Sequence, residues 1–169
     1  MGSYTEVVLQ LTFTPDTPDH VLAAFSALAK AAPGNPEAPE LPAPHPVQDE
    51  DWGDWEPTDE VSDPAADPEP WMHNWPLWLS TSMSVGTTPH AQLAWSAMGT
   101  WVLSCRWGIK SWPDAILPAL QWLGPFLEGW DRQPTLLGYM TGIDPRPTLV
   151  WLWQGRISLE NLTPEDERN

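Results

Sequence analysis

The chain has 169 residues, 41% of them hydrophobic, with 13 Trp and 21 Pro; that is long enough for one domain with a sizeable core, too short for two complete ones, and too apolar for a wholly disordered chain. Its net charge of −16, from 23 acidic and 7 basic side chains, opposes direct binding to nucleic acid or to an anionic membrane surface. The expected counterpart is a protein with a basic surface.

Glu6 to Thr14 alternates, with Val7, Leu9, Leu11 and Phe13 on one face, and predicts a strand buried on one side. Thr17 then offers a helix N-cap, Pro18 suits the first helical position, and Asp19 favours the positive end of the helix dipole. Val21, Leu22, Phe25, Leu28 and Ala29 follow as one apolar stripe that ends at Pro33-Gly34. His20, in the first turn of this helix, reads as solvent-facing.

Residues 33–76 break the pattern. Proline recurs too often for a helix interior or a central strand, because each one removes a backbone donor and fixes φ. About twelve of the acidic side chains lie here, no Lys or Arg occurs from Ala31 to Cys105, and the rest of the chain is only mildly acidic. The segment also carries Trp52, Trp55, Trp71 and Trp75, with Trp78 just beyond it. Aromatic side chains interleaved with carboxylates grip a cationic surface by apolar anchoring and ion pairing together. The partner-binding candidates are Asp49, Glu50, Asp51, Trp52, Asp54, Trp55, Glu56, Asp59, Glu60 and Trp71. The competing expectation is that the tryptophans fold back and pin the segment to the protein's own sheet.

Past this arm, Leu77 to Val85 reads as a strand, Gly86-Thr87-Thr88-Pro89 as a turn, and a further strand begins near Gln92. Thr100 to Lys110 gives the strongest strand signal, with Trp101, Leu103, Cys105, Trp107 and Ile109 in one row and Gly99 marking a turn or bulge before it. Ser111-Trp112-Pro113-Asp114 resembles a capping box with Asp in place of Glu or Gln. Ile116, Leu117, Leu120, Leu123 and Leu127 form the next helical stripe, with Pro118 tolerable early in it and Gly124-Pro125 breaking it. Leu136 to Thr141 and Thr148 to Trp153 read as strands, the second apolar on both faces, and Gln154-Gly155 as a two-residue hairpin turn into Arg156 to Leu159. Trp95, Trp101, Trp107, Trp122, Trp151 and Trp153 are expected in the core. The polar tail is expected to fray.

The order predicts a single α+β domain over residues 1–169, with an antiparallel or mixed sheet of about five to seven strands and two helices on one face, interrupted by the acidic Pro/Trp-rich insertion 33–76. The βαββαβ split arrangement of ferredoxin-like domains, lengthened by extra strands, is one candidate topology.

No motif supplies a reaction. Asp49, Asp51 and Glu60 stand at the first, third and twelfth places of a calcium-loop pattern, but Gly53 and Asp54 reverse the order that its sharp turn needs, and proline-rich flanks replace its helices. His45, His73 and His90 lack the paired spacing of a zinc site. The chain has no nucleophile elbow, no phosphate loop and no H-E-x-x-H, and Cys105 sits in an apolar row where an inert buried thiol is expected. Neither a metal nor a cofactor is therefore expected, nor catalysis. A single Cys, no signal-peptide pattern in MGSYTEVVLQ and no apolar run of membrane-spanning length make a cytoplasmic location the expectation. Gly138 to Ile157, strand then Pro-rich turn then hairpin, is similar in style to small bacterial or phage-encoded accessory proteins, which assigns no role to any residue. The function expected from these features is an acidic inhibitor, immunity protein or anti-defence module that blocks a basic surface, for instance on a nuclease or a nucleic-acid-binding complex. The alternative is a structural or assembly component that packs through the Pro/Trp-rich arm.

Overall fold

A computed structural model of the chain describes residues 5–29, 38–44, 90–109, 117–142 and 146–162. Six strands pair antiparallel throughout: β1 (Thr5–Thr12), β2 (His90–Trp95), β3 (Trp101–Ile109), β4 (Thr135–Thr141), β5 (Thr148–Trp153) and β6 (Arg156–Asn161). They lie side by side in the order β2-β3-β1-β4-β5-β6. Two short helices are described, α1 (Asp19–Ala23) between β1 and β2 and α2 (Leu117–Leu123) between β3 and β4. The expected α+β class therefore holds. The first four strands follow the split βαββαβ connectivity, and β5 and β6 lengthen the sheet by a meander.

Alternation explains how the sheet is held. Leu9 lies opposite Cys105, Leu11 opposite Leu103 and Val7 opposite Trp107, so the apolar rows of β1 and β3 share one face. Val7, Leu9, Leu11, Leu103, Cys105 and Trp107 are all buried there. Val21 and Leu22 of α1, Phe25 just beyond it, and Ala119, Leu120 and Leu123 of α2 join the same core cluster. Phe25 meets Phe13 ring to ring at 5.8 Å and 43°, a tilted contact contributing about 1 kcal/mol beyond its buried area.

The turns form where turn chemistry is strongest. Ser96 accepts a bond from the Gly99 N–H and donates its own N–H to Thr100 O, closing the β2–β3 turn around Gly99 at φ 76°. Gln154 and Gly155 both have positive φ, 50° and 73°, the conformation that matches the twist of a two-residue hairpin.

The first helix is much shorter than its apolar stripe predicts. It stops at Ala23, and Ser26–Leu28 continue as a 3-10 turn. Two contacts account for this: the Ser26 hydroxyl donates back to Ala23 O at 3.1 Å, and Ala29 leaves in an extended conformation to bridge Leu93 of β2. Thr17 does not cap the helix either. Pro18 is the cap residue, and the Thr17 hydroxyl donates instead to Thr14 O at 2.8 Å, tying the β1–α1 turn together. The second helix, described over Leu117–Leu123, gives way at Gly124 to a 3-10 turn, as the Gly-Pro pair predicts. The capping sequence 111–114 and the expected strand Leu77–Val85 lie outside the described residues.

Two further expectations are corrected. His20 is half-buried rather than solvent-facing, with its ring edge-on to Trp122 at 6.4 Å. Of the six tryptophans expected in the core only Trp107 and Trp122 are buried; Trp95 and Trp101 are partly buried, and so are Trp151 and Trp153 of β5. Strict alternation in β5 gives the core to Val150 and Leu152, which turns both tryptophans to the opposite face of the sheet.

Candidate functional site

Of the acidic insertion 33–76, the structure describes residues 38–44. Ala29 pairs with Leu93 in a parallel bridge, and β2 itself begins at His90. Between these points, Leu41 packs partly buried against the core cluster. All ten partner-binding candidates, from Asp49 to Trp71, lie outside the described residues, as do the calcium-like positions Asp49, Asp51 and Glu60.

The sheet has one face covered by the helices and a second face of mixed character. Register aligns His90, Arg106, Val8, Tyr139, Leu149 and Glu160 across this second face. Arg106 Nε donates to Glu6 Oε1, an ion pair whose side chains are 51% and 24% exposed; solvent screening keeps its contribution within about 1 kcal/mol. Trp151 Nε1 donates to Glu160 Oε2 at 2.9 Å, tying the indole to the neighbouring strand. Trp130 and Tyr139 are exposed, at 67% and 41%. Sequence alternation places Glu6 and Arg106 on the polar phase of their strands, but the pairing across 100 positions requires the register, which alternation does not supply.

Among the described residues no three His, Cys, Asp or Glu side chains come close enough together to hold a metal ion. His90 is exposed on β2 while Cys105 is buried on β3, facing the other side of the sheet. Burial pushes the Cys105 thiol well above its usual range, opposed only in part by its contact with Leu9 O at 3.8 Å. A thiol held neutral in this way is a poor nucleophile.

A pH dependence follows from it. The folded state keeps the Cys105 proton, whereas the unfolded chain releases it above about pH 8.5. Stability is therefore fully present below that pH and is lost as pH rises, with a slope approaching about 1.4 kcal/mol per pH unit. Urea unfolding at pH 8 and pH 10 is expected to show this loss in the native chain and a smaller one in Cys105→Ala. Equal losses in the two would show that the thiol stays protonated in neither state or both.

No helix among the described residues is long and apolar enough to cross a membrane. Comparison of the chain with protein-family models, with curated proteins and with solved structures finds no match.

Proposed function

We propose that the chain is a non-catalytic acidic binding protein that occludes a basic surface on a partner protein, of the inhibitor, immunity or anti-defence kind. The observation that carries this reading is the distribution of charge. About twelve of the 23 acidic residues fall in residues 33–76, a stretch without Lys or Arg that also holds Trp52, Trp55 and Trp71. A charge of this density raises the rate of encounter with a cationic surface, while the indoles supply the apolar contact that holds the complex once formed. The partner class favoured is a nuclease or a nucleic-acid-binding complex, because such proteins keep large basic faces for phosphate.

The test is affinity capture at low salt from bacterial lysate on the immobilised chain, beside a variant carrying D49N, D51N, D54N, E56Q, D59N and E60Q. The expected outcome is a protein with a basic face retained by the native chain and lost from the variant. Equal retention by both would overturn the proposal.

A further inference from the structure

The strand at the end of the sheet opposite β2 carries a self-complementary pattern. β6 pairs with β5 along its whole length without a register break, from Trp153 opposite Arg156 to Thr148 opposite Asn161. Among the described residues it is the terminal strand of the sheet, whereas the opposite edge, β2, is bridged by Ala29. Within β6 there is no proline, lysine or bulge of the kind that blunts an edge. Leu159 and the adjoining Leu162 are 37% and 42% exposed.

Hydrogen-bond parity fixes what could pair there. The Leu162 N–H donates to Pro147 O, so even-numbered residues of this segment turn their backbone groups toward β5. Those of Ile157, Leu159 and Asn161 point to the free edge. An antiparallel copy must then match odd residues with odd, which requires a two-fold axis through a residue. With the axis at Ser158, Ile157 falls opposite Leu159 of the copy and Arg156 opposite Glu160. Arg156 and Glu160 are both exposed and occupy the face on which Trp151 already binds Glu160 Oε2. Like charges at these two positions would have blocked self-pairing; opposite charges favour it twice.

We infer that a second copy of this chain docks on β6, joining the two sheets through an antiparallel β6–β6 seam centred on Ser158. The backbone bonds of Ile157 and Leu159 form the seam, and two Arg156–Glu160 pairs select its register. The net charge of −16 per chain opposes association at low ionic strength, so the seam is expected to form at physiological salt, where charges more than about 8 Å apart are screened.

Sedimentation velocity of the full chain in 150 mM salt tests this. The mass is expected to rise with concentration from 18.9 kDa toward twice that value, across roughly micromolar to submillimolar concentrations. E160R places Arg opposite Arg twice and is expected to weaken the dimer about tenfold or more, whereas R156E/E160R restores opposite pairs and is expected to return within about threefold of the native chain. Both variants lose the Trp151 bond, so a difference between them reports the seam alone. Leu159→Pro removes an outward N–H without touching the β5 ladder and is expected to leave a folded monomer. A native chain that stays at 18.9 kDa throughout would overturn the inference. So would a charge swap as weak as E160R, or a dimer indifferent to E160R.

Discussion

Replacing Gly138 with Ala is expected to destabilise the fold by about 3 kcal/mol or more, enough to be obvious in a urea titration. Gly138 lies in β4 beside the central strand β1, opposite Leu9 on one side and Val150 on the other, where the β4–β5 register shifts. Its φ of 155° is one that side-chain-bearing residues rarely adopt, and an added Cβ would sit 2.0 Å from Val8 O and 3.0 Å from Leu9 Cα. Both obstacles are backbone. Val8 cannot retreat, because β1 is bonded to β3 along its other edge. Gly142→Ala is the control: among the described residues its Cβ would meet only the Thr5 hydroxyl, at 3.4 Å, and its midpoint is expected to move little. Equal midpoints for the two variants would mean that β1 and β4 do not approach as closely as described.

Substituting Trp52, Trp55 and Trp71 by Ala is expected to weaken partner binding by about 2 kcal/mol or more for the most central of them, roughly thirtyfold, chiefly through faster dissociation. Charge neutralisation should act on the other limb, slowing association and flattening its salt dependence. Surface plasmon resonance against the captured partner separates the two. If the three indoles instead pin the insertion to the sheet, their loss would lower thermal stability and leave dissociation unchanged.

Much of the body was legible because one face of each strand is buried. Val7, Leu9 and Leu11 announce β1, and Leu103, Cys105 and Trp107 announce β3, through a period that survives any choice of register. The turns at Gly99 and at Gln154-Gly155 were legible from the residues that tolerate positive φ. Three features depend on tertiary packing and were not. The first helix is cut short because Ala29 is drawn to β2. Trp151 and Trp153 look like core by composition, yet Val150 and Leu152 hold the buried phase of a strand apolar on both faces. His20 belongs to the Trp122 contact only because α1 and α2 cover the same face. For the candidate site, sequence supplies the charge and the indoles; of the segment that carries them the structure describes residues 38–44, where Leu41 packs against the core.

The most direct measurement is the affinity of the captured partner for the native chain at 50 and 500 mM salt, beside the same chain with Asp49, Asp51, Asp54, Glu56, Asp59 and Glu60 neutralised. Electrostatic docking predicts a loss of about a hundredfold with salt for the native chain and a much smaller one for the neutralised variant, which starts weaker. An affinity that is the same at both salt concentrations and in both proteins would contradict it.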